Sequence, residues 1–356
     1  MAKKRHQPPE TGPGIELSII IVNWHSAAFL RPCLETIREQ TTRIRYEVIV
    51  VDNASFDGCG ERLAEEDPTV RFIQSQENLG FARANNLGAR QARGPVLLFL
   101  NPDTEVRDRA LEHLWERVNT LPRAGAVGCR LLNSDGSLQT SCVQSFPTIV
   151  NQMLDADILR KISPRSGLWG TAGFFEPSGN PVPVEAVSGA CLMIPREIFD
   201  RVGGFSSEYF MYGEDLDLCY KVSRQGRDNY YCGAVAVVHH GGGSSRQAPS
   251  RFAIQMLRES VQRFLTKFHG PFYGGVYRLT MSGAALTRLI LLLVLTPVFV
   301  VRGRTAGWQA ALQKWWAVLH WGLGLARSPR RRPAAGKGNL QPPRDLNGSC
   351  AESAEN

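Results

Sequence analysis

The chain has 356 residues and a mass of 39.4 kDa; 43% of the residues are hydrophobic and 21% are charged, so most of it can bury a core and is not intrinsically disordered. No fixed repeat or heptad period occurs, which excludes collagen-like, coiled-coil and solenoid architectures. The net charge of +8 divides into +2 for residues 1–14, −5 for residues 15–250 and +11 for residues 251–356. Because the body is acidic, we predict no nucleic-acid partner, whereas the basic C-terminal part is suited to contact with an anionic surface.

The chain starts with a basic stretch, residues 1–14, that is typical of a flexible tail. Eight cysteines are scattered without a CxxC pair, and no apolar signal peptide precedes the first predicted strand. We therefore expect reduced thiols in the cytosol.

The first part of the chain alternates buried strands with helices. Continuous apolar, β-branched runs predict strands, and the intervening stretches predict helices. The predicted strands cover residues 17–23, 46–52, 70–74 and 96–101, and helices are predicted near residues 27–40 and 81–92. This alternation predicts βαβ units and a Rossmann-like, mostly parallel sheet, whose ligands gather at the carboxyl ends of the strands. Polar residues do stand at these ends, namely Asn23, Asp52 and Asn101.

The rest of the chain has a mixed pattern. Short strands and one clear helix are predicted between residues 124 and 243, around an irregular Gly/Pro-rich stretch at 165–183. A strand at Ala234–Val238 precedes two histidines and three glycines, and a basic helical segment follows Ser245. The Pro-, Gly- and Arg-rich end, residues 328–356, predicts disorder.

Asp52 begins the first candidate site, Asp52-Asn53-Ala54-Ser55, followed by Asp57-Gly58. A carboxylate at this strand end can accept the N3–H of a uracil or thymine ring. The alternative is an Asx turn that caps the next helix, which we favour for Ser55 and Asp57 and leave open for Asp52.

Asn101-Pro102-Asp103-Thr104 forms the second candidate site. A carboxylate at a strand end suits a hard divalent cation that bridges phosphates, although Asp103 or Thr104 could instead cap a helix. His239 ends a strand beside glycines and could ligate metal or contact phosphate, although a lone histidine is more often structural.

Glu214 and Asp215 begin a predicted helix, where carboxylates can simply complement the helix dipole, and the nearby Asp217 favours that alternative. The apolar, Gly-hinged sequence at residues 210–213 could instead place one carboxylate in a partly dry cleft, as a general base requires.

Taken together and in order, these motifs resemble family 2 glycosyltransferases with the GT-A fold, especially their bacterial rhamnosyltransferase-like branch. The resemblance covers roughly residues 17–245. It rests on IIIVNW ending at Trp24, VVDNASFDG (50–58), NLGFARANNLGA (78–89), LFLNPDT (98–104), SGACLMIPREIFDRVGGFSSEYFMYGEDLDLCYKV (188–222) and VVHHGGGSS (237–245).

The resemblance implies a role for each motif residue. Asp52 would hold the pyrimidine beside Asn23 and Asn53. Further nucleotide contacts are implied for Asn78, Gly80, Asn86 and Asn101, metal contacts for Asp103 and His239, base catalysis for Asp215 and a positioning role for Glu214. The chain departs from the family pattern at Asn101, where the first acidic residue of a DxD motif would stand, and at Asn85, where many relatives have an arginine.

The implied function is inverting transfer of a sugar, such as L-rhamnose, from a dTDP- or UDP-sugar to a hydroxyl of a lipid-linked or polysaccharide acceptor, with Mg²⁺ or Mn²⁺ assisting diphosphate departure. The alternative is an inactive nucleotide-sugar-binding scaffold of a glycan-assembly complex. A nicotinamide-dependent Rossmann enzyme is disfavoured because no GxGxxG follows the first strand.

The expected organisation has four parts: a tail at 1–14, a catalytic domain at 15–245, a helical segment at 246–327 and a disordered tail at 328–356. The catalytic domain is expected to divide into a nucleotide-binding half (15–123) and an acceptor half (124–245).

The apolar run at residues 289–301 bears on location. As a helix, its 13 residues would measure about 20 Å, short of a hydrocarbon core of about 30 Å. Four tryptophans and several basic residues follow, which favours an interfacial helix on anionic lipid over a core helix or a spanning helix. We therefore predict a peripheral or monotopic protein at the cytoplasmic face of the cell membrane.

Overall fold

A computed structural model describes residues 14–154, 180–241, 251–301 and 305–325. These residues form a mixed sheet flanked by helices, with a helical C-terminal part. The predicted tails (1–14 except Gly14, and 328–356), most of the irregular stretch 165–183 and part of the glycine run after His240 lie outside the described residues.

Eleven strands occur among the described residues. They are β1 (Leu17–Asn23), β2 (Tyr46–Asp52), β3 (Arg71–Gln74), β4 (Val96–Leu100), β5 (Thr104–Val106), β6 (Ala124–Leu132), β7 (Val143–Gln144), β8 (Val182–Val184), β9 (Ala186–Val187), β10 (Cys191–Pro195) and β11 (Asp228–His239).

The described helices surround the sheet and continue beyond it. They are α1 (Ala27–Gln40), α2 (Cys59–Glu66), α3 (Gly80–Gln91), α4 (Ala110–Thr120), α5 (Ile149–Met153), α6 (Arg196–Arg201), α7 (Glu214–Arg224), α8 (Arg251–His269), α9 (Pro271–Val294), α10 (Thr296–Val301) and α11 (Thr305–Gly322), with a 3₁₀ turn at Thr140–Cys142.

The main sheet has the order β3-β2-β1-β4-β10-β6-β11-β5, with β8 also paired to β11. Strands β1 to β4 are parallel to one another, which is the predicted Rossmann-like half. Strand β10 runs antiparallel between β4 and β6, so the second half is mixed, as predicted. Strands β1, β2 and β4 are buried along almost their whole length, which explains their largely apolar sequences, whereas β3 at the edge of the sheet is only partly buried.

Two hydrophobic clusters hold the sheet between helices. One lies on the side of α1 and α4, and the other includes Ile20 and Phe99 of the sheet. The second cluster extends without interruption to Phe264 of α8, Met281 of α9 and Trp321 of α11. The C-terminal helices therefore share a core with the sheet.

The apolar run at 289–301 belongs to a longer helix than the sequence predicted. Helix α9 has 24 residues and ends at Val294, and the rest of the run forms α10. In length and composition α9 is the one candidate for a membrane span among the described residues. Pro297 lies in the first turn of α10, where its missing N–H costs little.

Candidate functional site

The carboxyl ends of the parallel strands meet at one edge of the sheet. Asn23 is in register with Asp52, and β1 lies between β2 and β4. The fold thus brings together the strand-end residues that the sequence singled out, with Asn101 just beyond β4.

Asp52 lies fully buried in a closed set of hydrogen bonds. Its Oδ1 accepts from Asn23 Nδ2 at 2.8 Å and from the Ser55 hydroxyl, and its Oδ2 accepts from Gln74 Nε2 at 2.6 Å and from the amides of Ser55 and Phe56. Burial alone would raise the pKa of Asp52, but these hydrogen bonds outweigh it and hold the pKa below its ordinary value. The Asx-turn contacts predicted for this motif are therefore present.

Asp52, Asp57 and Cys59 also approach one another, with one potential ligand atom each within 4.8 Å of the others. The Nδ2 of Asn23 lies among them and donates to Asp57 Oδ2 at 3.1 Å and toward Cys59 Sγ at 3.2 Å. Burial raises the pKa of the Cys59 thiol, which disfavours the thiolate that a metal needs. Because an N–H donor lies among these ligand atoms and a cysteine sulfur is a soft ligand, the group suits a hard cation poorly.

Asn53 fixes the turn that begins α3. It accepts from the amide of Leu79 at 2.7 Å and donates to Asn78 Oδ1 at 3.0 Å. Gly80 has a left-handed backbone (φ 74°), and a Cβ there would lie 2.3 Å from the carbonyl oxygen of Phe210. The close approach explains the glycine and joins the parallel half of the fold to the loop before α7.

Asn86 points away from this turn. Its side chain donates to the carbonyl of Phe205 at 2.7 Å and accepts from the amide of the same residue at 3.0 Å. The neighbouring Asn85 is buried and bonds to the Phe81 carbonyl within α3. Asn86 thus positions the loop at 203–205, and its contact with a nucleotide stays a prediction.

Asp103 and His239 face each other at the end of β4 and β11. His239 Nε2 lies 3.3 Å from Asp103 Oδ1 and 3.1 Å from Asn101 Nδ2. On its other side, His239 Nδ1 lies 2.9 Å from Gln139 Oε1, an acceptor that would stabilise the tautomer with the proton on Nδ1 and a free lone pair on Nε2. Gln139 also donates to the His239 carbonyl at 2.6 Å, which fixes the ring further.

This pair fits a divalent cation. Two ligands at right angles around an ion with bonds of about 2.1 Å lie about 3.0 Å apart, close to the distance between Nε2 and Oδ1. Both side chains are mostly buried. Asn101 turns its Nδ2 toward His239, so its amide would have to turn over to offer an oxygen.

Asp215 lies in the first turn of α7, and its carboxylate accepts hydrogen bonds from residues that are distant in sequence. Its Oδ2 accepts from the amide of Gly189 at 3.0 Å and from Gln144 Nε2 at 3.1 Å, and its Oδ1 accepts from the amide of Leu216 at 2.8 Å. Burial raises the pKa of Asp215 above its usual range despite these hydrogen bonds. The residue after Gly189 is Ala190, whose carbonyl accepts from the amide of Asn101 at 2.9 Å. The Asp215 carboxylate therefore lies near the strand end that carries Asn101 and Asp103.

Glu214 is more deeply buried, with 7% of its surface exposed. Its Oε2 has no hydrogen-bond partner among the described residues. Burial, followed by the charge of Asp215, raises the pKa of Glu214 to about 8. Glu214 is therefore mostly protonated at pH 7, which leaves the negative charge on its neighbour.

Asp217, on the same helix, has a different environment. It is fully buried and pairs with Lys267 of α8 at 2.6 Å and with Lys221 at 3.2 Å, and it accepts from the Ser206 hydroxyl at 2.5 Å. The pairing with two lysines makes it a structural carboxylate.

Four of the seven described non-glycine residues with a left-handed backbone lie in the segments that build this site. His25, Ala54 and Phe56 follow β1 and β2, and Tyr212 precedes α7. Such conformations cost about 1–3 kcal/mol each and cluster at functional sites. Trp24, which is 53% exposed, presents its indole at the same rim.

Several residues of the site escaped the sequence analysis. Gln139, Gln144 and Gly189 hold His239 and Asp215 from distances of 100, 71 and 26 residues along the chain. Gln139 and Gln144 lie in none of the sequence motifs. Gly189 and Trp24 do lie in such motifs, but no role was predicted for either.

The comparisons with known proteins agree on a family. The sequence profile described as Glycosyl transferase family 2 matches residues 18–203. The N-acetylglucosaminyl-diphospho-decaprenol L-rhamnosyltransferase of Mycobacterium tuberculosis is 30% identical over 286 residues, which cover 76% of this chain and 91% of that protein. Rhamnosyltransferase WbbL of Escherichia coli K12 is 26% identical over 260 residues, or 70% of this chain and 92% of that protein.

Solved structures share the fold. The mannosyltransferase PcManGT from Pyrobaculum calidifontis, in complex with GDP-Man and Mn²⁺, aligns over 88% of both chains with a TM-score of 0.53 and 18% identity. GalNAc-T7 with UDP, GalNAc and Mn²⁺ aligns over 71% of this chain and 48% of that chain, with a TM-score of 0.52 and 16% identity. The predicted GT-A-like fold is thereby confirmed, and the chain belongs to glycosyl transferase family 2, in its rhamnosyltransferase-like part, and is a glycosyltransferase.

Proposed function

We propose that this glycosyltransferase transfers L-rhamnose from a dTDP- or UDP-sugar to a hydroxyl of a lipid-linked acceptor, with inversion at the anomeric carbon. The observation that carries the proposal is the position of the Asp215 carboxylate. It accepts a hydrogen bond from the amide of Gly189, and the adjacent residue, Ala190, accepts one from the amide of Asn101. A candidate base therefore lies beside a candidate diphosphate-binding edge. The names of the relatives from M. tuberculosis and E. coli support rhamnose, and the former supports a lipid-linked acceptor.

The nucleotide is assigned to the ends of β1 and β2. Asn53 and Asn78 order the turn before α3, and the exposed Trp24 offers a flat apolar face for a base. Asp52 already accepts from four residues, so a uracil or thymine N3–H would have to replace Gln74 at Oδ2.

The residues assigned to metal are Asp103 and His239, with Asn101 as a third ligand if its amide turns over. Mg²⁺ or Mn²⁺ bound there would neutralise the charge that develops on the leaving diphosphate. The Mn²⁺ in both structural neighbours supports a metal.

The acceptor hydroxyl would lose its proton to Asp215 as it attacks the anomeric carbon. A protonated Glu214 next to it keeps Asp215 in the anionic form that a base requires, because two adjacent buried carboxyls do not both ionise readily. The three donors around Asp215 fix its orientation. A single displacement of this kind needs no covalent glycosyl-enzyme.

The reaction is assigned to the cytoplasmic face of the cell membrane. The basic C-terminal part and the apolar helix α9 support attachment there, and a lipid-linked acceptor requires it.

The test is release of nucleoside diphosphate by purified protein from a panel of dTDP-, UDP- and GDP-sugars, with and without a short-chain prenyl-diphosphate-linked sugar as acceptor. We expect acceptor-dependent release with dTDP- or UDP-rhamnose.

Asp215→Asn should lower turnover by about 10²–10⁴-fold while donor affinity stays unchanged, because an amide keeps the shape of the side chain but accepts no proton. The matched control is Asp108→Asn at an exposed, left-handed position that asparagine tolerates. Near-normal turnover of Asp215→Asn would exclude Asp215 as the base.

A further inference from the structure

Helix α9 has an outer face that no part of the described structure covers. We define this outer face by the apolar side chains of Phe272, Leu279, Leu286, Ile290, Leu293 and Val294, which are between 50% and 84% exposed. Their spacing of four and seven residues places them on one side of the helix. At about 1.5 Å per residue the 24-residue helix is about 36 Å long, so the outer face is a continuous strip along it.

The charged residues of α9 leave the outer face free of charge. Arg278 and Arg288 are the only ones between Pro271 and Val294. Arg278 donates to the carbonyls of Trp321 and Gly322 at 2.9 Å, and Arg288 donates to the Met153 carbonyl at 2.7 Å. An uncharged apolar strip of this length marks a surface that contacts another apolar phase.

The opposite face of α9 is fixed to the rest of the protein along its length. Its buried residues Tyr277, Met281, Ala285 and Leu289 belong to the core that the sheet shares. At its start Gly274 approaches Thr266 of α8 so closely that a Cβ would lie 2.0 Å from the hydroxyl, and at its end Arg288 contacts α5.

These contacts disfavour a spanning orientation. If α9 crossed a bilayer, the helices α5, α8 and α11 that pack against it would have to enter the hydrocarbon with their polar groups. The outer face can contact lipid only if the helix axis lies parallel to the membrane plane.

The charge pattern selects an anionic membrane over a second copy of the chain. Nine basic residues and no acidic residue occur between Thr296 and Arg344, immediately after α9. In a dimer through this face the positively charged segments of the two copies would repel each other, whereas anionic headgroups attract the segment and the hydrocarbon beneath them accommodates the apolar outer face.

We propose that the outer face of α9 is a monotopic docking surface, which lies in the plane of an anionic leaflet at the boundary between headgroups and hydrocarbon. The inference deepens the proposed transfer to a lipid-linked acceptor and rests on it. The sequence left an interfacial helix and a core helix as alternatives, and in this proposal α9 is both, because one side packs into the core and the other contacts lipid.

The experiment compares three full-length proteins by flotation with vesicles of neutral lipid and of neutral lipid with 30% anionic lipid. The variant carries Leu279→Glu and Leu286→Glu on the outer face. The matched control carries Gln91→Glu and Asn119→Glu, two exposed polar positions on α3 and α4. Equal thermal transitions establish that all three are folded.

We expect the wild type and the control to float with anionic vesicles and the outer-face variant to bind at least tenfold more weakly. Unchanged flotation of the outer-face variant, or a wild-type dimer that does not bind the vesicles, would overturn the proposal.

A soluble sugar acceptor separates this proposal from the function. If the outer-face variant loses flotation but keeps transfer to that acceptor, both proposals hold. If the wild type floats as expected and transfers nothing, only the proposed function fails.

Discussion

Glu214→Gln should make the protein more stable at neutral and alkaline pH. A glutamate with an ordinary pKa of 4.5 that is held at about 8 in the fold contributes fully to stability below pH 4.5, and that contribution is lost as the pH rises to 8. At about 1.4 kcal/mol per pH unit, the loss is about 3 kcal/mol at pH 7 and about 5 kcal/mol above pH 8. Glutamine has no such loss.

The amide introduces a smaller cost of its own. Its two N–H donors enter a site where the Glu214 Oε2 already has no partner among the described residues, and burying them costs about 1–2 kcal/mol. We therefore expect a net gain of about 1–2 kcal/mol at pH 7, or a rise in melting temperature of roughly 1–3 °C for a chain of this length. The gain should grow at pH 8.5 and reverse at pH 5.

Thermal unfolding at these three pH values measures the effect. Glu112→Gln is the matched control, since Glu112 is equally buried but accepts from the amides of Thr42 and Arg43 and from Arg109 at 2.6–2.7 Å. Burial raises the pKa of Glu112, but these bonds outweigh it and hold the pKa below its ordinary value. Its substitution should therefore destabilise the protein throughout this range. A stability difference for Glu214→Gln that is the same at pH 5 and pH 8.5 would refute the reasoning.

Two further predictions concern the metal edge and the C-terminal helices. Asp103→Ala should weaken both Mn²⁺ binding and donor binding, measured by calorimetry, because it removes the carboxylate that faces His239; full activity of the wild type in excess EDTA would contradict the assignment of a metal. Deleting residues 281–356 should lower the melting temperature or cause aggregation, because Met281, Ala285 and Trp321 belong to the shared core; a truncated protein with wild-type stability would show that the helices are separable.

The parallel half of the fold could be predicted almost to the residue. Strands β1 and β2 have the predicted bounds because both faces are buried, which leaves an uninterrupted apolar run in the sequence. For the same reason the strand ends are visible as the first polar residues, Asn23 and Asp52. The site residues on these ends were therefore within reach of the sequence.

The second half was less predictable because its contacts are distant in sequence. Strand β10 inserts antiparallel between β4 and β6, and only this insertion brings Gly189 to Asp215 and Ala190 to Asn101. Strand β11 has 12 residues where five were predicted, since a register shift between Cys232 and Ala236 interrupts its pattern.

The sequence analysis predicted a helix only over the apolar run, but the ends of an apolar run need not coincide with the ends of a helix. The run starts at Leu289, but the helix starts at Pro271, a residue suited to the first turn. Glycines and an arginine make the intervening turns look polar in sequence, although Arg278 points inward to backbone carbonyls. Only the packing shows which residues face the core.

The first turn of α7 links the C-terminal helices to the candidate site. Its three carboxylates have different surroundings: Glu214 is buried without a partner for its Oε2 among the described residues, Asp215 has three neutral donors and Asp217 has two lysines. Lys267, one of those lysines, comes from α8, which packs directly against α9. Without Lys267, the charge of Asp217 would be less compensated and would raise the pKa of Glu214 further. The helix pair that carries the proposed lipid-facing outer face therefore also helps to set the charge of the proposed catalytic carboxylates.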